Sequence, residues 1–66
     1  MNWEDAWSLL QKGYKVAHRL FQPGEWMQWD EKNRVFFFED GGYCYVDDFW
    51  KYRQGLHWLT DWRIVQ

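Results

Sequence analysis

The apolar positions at the start of the chain repeat with the period of an α-helix. Apolar side chains spaced i, i+3, i+4 and i+7 form one stripe along a helix, and here they are Trp3, Ala6, Trp7 and Leu10. Asn2 is a favourable N-cap residue, and Gly13 suits the left-handed position that often follows a helix. The pattern predicts a helix over residues 2–12 whose apolar stripe packs on the rest of the protein.

After Gly13 the pattern changes to the period of two that is typical of β-strands. On a strand over residues 14–21, Lys15, Arg19 and Phe21 share one face and His18 lies on the other. At about 3.3 Å per residue, Lys15 and Arg19 are about 13–14 Å apart along the strand. They are placed to contact two phosphates of an extended ligand, and a solvated strand edge is the equally good alternative.

Further strands are predicted over residues 25–29, 34–39, 43–46 and 61–65, with turns at Pro23-Gly24 and Asp40-Gly41-Gly42. The run Phe36–Phe38 is typical of a strand that is covered on both faces. Residues 47–55 are ambiguous between a short helix capped by Asp47 and an aromatic loop, and residues 56–59 are predicted as one helical turn. We therefore expect a single α+β domain over residues 1–66, with an N-terminal helix packed on a four- or five-stranded antiparallel sheet.

Aromatic residues dominate the composition. The 66 residues include seven tryptophans, five phenylalanines and four tyrosines. A 60-residue domain buries only about 60% of the surface that its unfolded chain exposes, so some of these rings should lie at the surface. Large exposed apolar patches usually mark contacts with a partner or a ligand. The composition predicts a function in binding.

Charge and cysteine content exclude several other classes of function. The net charge of −2 lacks the basic excess that binding long nucleic acid requires. Cys44 is the only cysteine, which fits a reducing compartment.

The sequence also lacks patterns for metal binding, catalysis and membrane insertion. His18 and His57 are too far apart in sequence to suggest a metal site, and no motif for a cofactor or for catalysis is present. No signal peptide and no apolar run of about 20 residues is found, so we expect neither export nor a membrane span.

Three aromatic residues near the first predicted turn are candidates for holding a base. A purine can stack on Phe21, Trp26 or Trp29, and such stacking contributes about 1–3 kcal/mol per base. Ordinary packing within the sheet is the alternative. Arg63 on the last strand joins Lys15, His18 and Arg19 as a further candidate for a phosphate contact.

A second group of aromatic and cationic residues lies closer to the C-terminus. Phe49, Trp50, Tyr52 and Arg53 fall within five consecutive positions. Because tryptophan, tyrosine and arginine are enriched at protein interfaces and contribute strongly to them, we expect a contact between subunits here. The alternative is a segment that covers the core, with its cationic side chains reaching out to solvent.

The two ends of the chain resemble one small phage family. The first matching stretch is MNWEDAW at residues 1–7, followed by Leu10, Gly13 and Lys15-Val16-Ala17. The second is LTDWRIV at residues 59–65. In this order and spacing they are similar to the second type of Thoeris anti-defence protein, which is found in phages and prophages.

The resemblance implies a small α+β protein that assembles as a homotetramer, and since a pocket shared between subunits suits so short a chain, we expect a homo-oligomer, a dimer or tetramer. It also implies sequestration, without cleavage, of a cyclic nucleotide or a cyclic ADP-ribose-type immune signal in the cytoplasm of a bacterial host. Where the family has a basic residue and then a tryptophan on its ligand-facing strand, this chain has His18 and Phe21. Some relatives are described as CRISPR inhibitors, so the alternative is an inhibitor that binds a bacterial immune effector protein.

Overall fold

A helix packed on a five-stranded antiparallel sheet forms the body of this protein. The computed structural model describes all 66 residues, Met1–Gln66. The elements in chain order are α1 (Trp3–Gln11), β1 (Lys15–His18), β2 (Met27–Asp30), β3 (Val35–Phe38), β4 (Tyr43–Tyr45), α2 (Val46–Lys51), a 3₁₀ turn (Leu56–Leu59) and β5 (Trp62–Val65). The strand order is β4-β3-β2-β1-β5, and every neighbouring pair is antiparallel. The predicted α+β fold is confirmed, with five strands.

The ends of α1 are fixed by the residues that its sequence indicated. The side chain of Asn2 accepts a hydrogen bond from the backbone N–H of Asp5 at 2.8 Å, which satisfies one of the free donors of the first turn. At the other end Gly13 has a φ of 94°, and the N–H of Tyr14 donates to the carbonyl of Leu9 at 3.1 Å. A glycine is favoured at this position because a Cβ atom disfavours positive φ.

The core lies between α1 and one face of the sheet. The apolar stripe of α1 contributes Ala6 and Leu10, while Trp3 and Trp7 cover the edge of the core. Seven buried residues form a continuous cluster: Ala6, Leu10, Val16, Met27, Phe36, Phe49 and Trp62. The predicted packing of the helix stripe on the sheet is therefore confirmed.

The opposite face of the sheet has no helix on it. Phe36 is fully buried, whereas Phe37, which points to the other side of β3, is 39% exposed. Alternation along the strand decides this result, because neighbouring side chains of a strand point to opposite faces. The prediction that the Phe36–Phe38 strand is covered on both faces was wrong.

The first strand ends earlier than the pattern predicted, and this changes the position of Phe21. The N–H of Phe21 donates to the carbonyl of His18 at 3.0 Å, so the chain turns directly after β1. Phe21 then packs beside Trp62, with ring centroids 5.7 Å apart. The prediction that Phe21 shares a face with Lys15 was wrong, because the turn carries its ring back to the core side.

The ambiguous segment after β4 is helical. α2 begins directly after Tyr45, which occupies the N-cap position without a side-chain hydrogen bond. Phe49 on this helix is fully buried and lies against Phe36, with ring centroids 5.1 Å apart. The helical alternative is therefore correct, although Asp47 lies within the first turn instead of capping it.

Replacement of Gly13 by alanine tests the junction between α1 and β1. Because no neighbouring atom obstructs a Cβ at this position, the cost of Gly13→Ala comes from the positive φ, and we expect about 1 kcal/mol of lost stability. Urea unfolding measures it, with Gln11→Ala on the exposed side of α1 as the control, expected to change stability by less than about 0.5 kcal/mol. Equal stability of the two variants would contradict the left-handed junction.

Candidate functional site

The uncovered side of the sheet carries a group of cationic and aromatic side chains that we call the open face. Residues directly opposite one another in a ladder point to the same side of a sheet. The register pairs Lys15 with Val65, Ala17 with Arg63, and Phe37 with Tyr43. The open face is defined here by six residues: Lys15, Trp26, Phe37, Tyr43, Tyr45 and Arg63.

Cations and an indole ring meet at the β1–β5 side of the open face. The Nζ atom of Lys15 lies 4.3 Å from the centroid of the Trp26 ring, within the range of a cation–π contact. Between Trp26 and Arg63 lies Ala17, which is fully buried although it points to the uncovered side. With strands about 4.8 Å apart, Trp26 and Arg63 are about 10 Å from each other across β1. The full burial of Ala17 means that neighbouring side chains close over it, so a ligand on this surface contacts those side chains and not Ala17.

Exposed aromatic rings occupy the β3–β4 side of the open face. Tyr43 and Tyr45 are 64% and 57% exposed, and their ring centroids lie 5.9 Å apart in an edge-on arrangement. Together with Phe37 and Val35 they line a shallow groove of about 360 Å³. The sequence analysis missed this groove, although the alternation of Tyr43, Cys44 and Tyr45 was the signal that could have revealed it.

Arg19 lies just beyond β1 and is occupied by a carboxylate of the same chain. Its Nε atom donates to Oδ2 of Asp61 at 3.2 Å, and its backbone N–H donates to the Asp61 carbonyl at 3.0 Å. Both side chains are largely exposed. A phosphate approaching Arg19 would therefore have to compete with Asp61.

Two of the three candidate stacking residues belong to the covered side of the sheet. Trp29 lies edge-on to Trp7 at 4.9 Å, and its Nε1–H donates to Glu31 at 2.6 Å. This hydrogen bond is the main reason that the pKa of Glu31 is lowered. Phe21 packs beside Trp62, as described above. For both residues the packing alternative describes the structure, and only Trp26 lies on the open face.

His18 is a buried structural residue and not part of the open face. It is 1% exposed, its Nδ1 accepts the N–H of Leu20 at 3.1 Å, and its Nε2 lies 2.8 Å from the carbonyl of His57. Because a backbone N–H can only donate and a carbonyl can only accept, Nδ1 is the acceptor and Nε2 the donor of the ring. Since both nitrogens are occupied, the interpretation of His18 as a ligand contact is corrected.

The aromatic segment around α2 is mostly core. Phe49 is fully buried, so its assignment to a subunit interface is corrected: the ring fills the chain's own core. Trp50 lies edge-on to Trp3 at 4.9 Å, and the guanidinium carbon of Arg53 lies 4.2 Å from the Phe49 ring centroid. Tyr52, which is 76% exposed, offers a ring to a partner.

The remaining titratable groups form no cluster with metal-ligand geometry. No three His, Cys, Asp or Glu side chains are grouped closely enough to hold an ion.

Cys44 is partly buried. Burial raises the pKa of the Cys44 thiol, and the carboxylate of Asp48 adds to this effect while Arg53 opposes it.

No helix of the protein has the length and apolar character to cross a membrane.

Comparison with known proteins adds no relative to this picture. No family model, curated protein or solved structure matches the chain. The functional argument therefore depends on the residues of the open face and on the resemblance of the two chain ends.

Removal of the His18 ring tests its structural role. His18→Ala leaves the Leu20 N–H without a partner, removes one of the two hydrogen bonds at the His57 carbonyl, and opens a cavity beside Trp58 and Trp62. We expect a loss of about 2–4 kcal/mol in the free energy of unfolding. Arg19→Ala is the control, because an exposed ion pair contributes less than about 1 kcal/mol. Urea unfolding of both variants checks the difference, and equally small losses would contradict the structural role.

Proposed function

We propose that this protein binds a cyclic nucleotide or a cyclic ADP-ribose-type immune signal on the open face and sequesters it without cleaving it. In this proposal it acts as a phage anti-defence protein in the cytoplasm of a bacterial host. The supporting observation is the contact between Lys15 and Trp26, with Arg63 on the same uncovered surface. This arrangement offers a ring for a base beside two cations for phosphates.

Both cations are free to meet an anionic ligand. The ion pairs of this chain are Arg19 with Asp61 and Arg34 with Glu31, so neither Lys15 nor Arg63 is neutralised by a carboxylate. Asp30 on β2 accepts two hydrogen bonds from Asn33, which lower its pKa and keep it ionised, so its negative charge disfavours a phosphate in the groove beside β3 and β4. A phosphate therefore meets uncompensated positive charge at the β1–β5 side of the open face.

The shape of the site favours binding by more than one chain. A sheet face contacts only one side of a ligand, whereas small-molecule sites usually bury 70–90% or more of the ligand surface. A homo-oligomer of two or four chains would cover the other side. Sequestration then requires affinity and slow release, with no catalytic group.

The aromatic side of the open face favours a second candidate, an inhibitor that binds a bacterial immune effector protein. Tyr43 and Tyr45 expose more than half of their surface, and tyrosine is enriched at protein interfaces. In this alternative the rings of β3 and β4 form the contact and the cations lie at its rim.

Recovery of intact ligand separates these functions. The purified protein is mixed with cyclic nucleotides and cyclic ADP-ribose isomers, washed, heated to denature it, and the released compound is identified by chromatography. We expect one of these signals to be recovered intact and in stoichiometric amount. A degraded product would indicate an enzyme, and absence of every signal would favour the protein-binding inhibitor.

Single substitutions on the open face test the location of the site. A hydrogen bond to a charged group contributes about 1.5–3 kcal/mol, so Lys15→Ala and Arg63→Ala should each weaken binding of the recovered signal about tenfold or more. Lys32→Ala removes the same charge from an exposed turn and serves as the control, with unchanged affinity expected. Arg19→Ala should have a smaller effect because Asp61 already holds that guanidinium group. Calorimetric titration measures these affinities, and equal effects of Arg63→Ala and Lys32→Ala would contradict the proposed location.

A further inference from the structure

The groove at the β3–β4 side of the open face differs in charge from the rest of that face. We call it the tyrosine groove, and it is lined chiefly by Asp30, Val35, Phe37, Tyr43 and Tyr45. Its volume is about 360 Å³. Asp30 is the only charged residue in its lining, and β4 lies three strand spacings, or about 14 Å, from β1. The open face is therefore positive at its β1–β5 side and negative at this groove.

The carboxylate of Asp30 carries a negative charge that no cation of the chain neutralises in an ion pair. Its Oδ1 accepts the backbone N–H of Asn33 at 3.1 Å, and its Oδ2 accepts the side-chain N–H of Asn33 at 2.8 Å. The side-chain hydrogen bond is the main reason that the pKa of Asp30 is lowered, and the charge of Lys32 adds to this effect. The two ion pairs of the chain lie elsewhere, at Arg19 and Arg34. The groove therefore presents a fixed negative charge whose two oxygens each already accept a hydrogen bond.

Three aromatic side chains line the groove together with this charge. The rings of Tyr43 and Tyr45 are nearly perpendicular, at 87°, with centroids 5.9 Å apart, and both side chains are more than half exposed. Phe37 lies opposite Tyr43 in the β3–β4 ladder and is also exposed. The cations of the chain that contact rings do so elsewhere, at Trp26, Trp29, Phe49, Tyr52 and Trp58. The three groove rings therefore have no cation of the chain against them, and a ring face attracts one.

We propose that the tyrosine groove binds a small quaternary ammonium compound of the choline class. The trimethylammonium head lies against the rings of Phe37, Tyr43 and Tyr45, and the carboxylate of Asp30 supplies the opposite charge. Several aromatic rings around one cation are the usual way in which proteins recognise such a head. This site occupies the negative side of the open face and does not depend on the function proposed above.

The hydrogen-bonding capacity of the groove favours a quaternary head over other organic cations. A primary ammonium carries three N–H donors and a guanidinium group carries five. The single carboxylate of the groove, Asp30, already accepts two hydrogen bonds from Asn33. Donors that lose water without gaining an acceptor weaken binding. A quaternary head has no N–H group, so it can be desolvated against the rings without leaving a donor unpaired.

Three matched compounds test the proposal. Choline and 3,3-dimethylbutan-1-ol have the same shape and differ in the charge of the head, while ethanolamine replaces the head by a primary ammonium. Each is titrated into the whole protein while the amide signals of Gly41, Tyr43 and Tyr45 are followed by NMR. We expect choline to bind about tenfold more tightly than the neutral alcohol and about threefold more tightly than ethanolamine. No shift with choline at millimolar concentration, or equal affinity for choline and either analogue, would overturn the proposal.

A lipid headgroup is the other source of the same chemistry, and vesicles distinguish it from a free compound. In a headgroup a phosphate follows the choline, and the charge of Asp30 disfavours that phosphate. The protein is sedimented with phosphatidylcholine vesicles in the absence of free choline, and we expect it to remain in solution. Sedimentation with the vesicles, combined with no binding of free choline, would overturn the proposal.

Variants of the charge and of one ring complete the test. Asp30→Asn keeps an acceptor for the Asn33 N–H but removes the charge, so it should weaken choline about tenfold with little change for the neutral alcohol. Because this substitution can disturb the turn that Asn33 closes, Tyr45→Leu provides a second variant, which should weaken choline about threefold. Tyr52→Leu removes an exposed ring outside the groove and is the control, with unchanged affinity expected. Equal choline affinity of Tyr45→Leu and Tyr52→Leu would overturn the proposal, whatever the state of Asp30→Asn.

Discussion

The packing of one short helix on one face of the sheet is the interaction on which the rest of the structure depends. α1 has nine residues, and its stripe buries Ala6 and Leu10 against strands β1, β2 and β5. α1 covers one side of the five-stranded sheet together with α2 and the 3₁₀ turn, which contribute Phe49 and Trp58, and no element covers the other side. The strand alternation then turns Phe36 to the core and Phe37 to the open face. This alternation separates the side chains that support the fold from the side chains that are available for binding.

The aromatic content makes this thin architecture possible. The Trp3 ring packs against two other indole rings: its centroid lies 4.9 Å from that of Trp50 and 5.0 Å from that of Trp62. Such rings bury large areas from few residues, which a 66-residue chain needs. The indole N–H of the buried Trp62 is also satisfied, because it donates to the Trp58 carbonyl at 2.8 Å. The excess of rings over core positions remains at the surface, chiefly as Tyr43, Tyr45 and Tyr52.

Local rules predicted α1 and the turns well, and failed where distant contacts decide the outcome. The stripe of α1, its Asn2 cap and the glycine that follows it are all set by neighbours in sequence. Phe21 was misplaced because the end of β1 depends on how the chain returns to pack on Trp62. His18 looks like a cation on a strand, and only the fold brings the His57 carbonyl to its ring. The alternation of Tyr43, Cys44 and Tyr45 indicates that both tyrosines lie on one side of β4, but only the fold determines that no element covers that side.

The separation of a covered face from an open face is tested most directly by mapping a bound signal onto the sheet. Backbone amide shifts are recorded by NMR while the signal recovered from the protein is added back. The largest changes are expected on the open face, at Lys15, Trp26 and Arg63, with little change at Phe21 and Trp29. Largest changes at Phe21 and Trp29 would contradict the assignment of the open face as the binding surface.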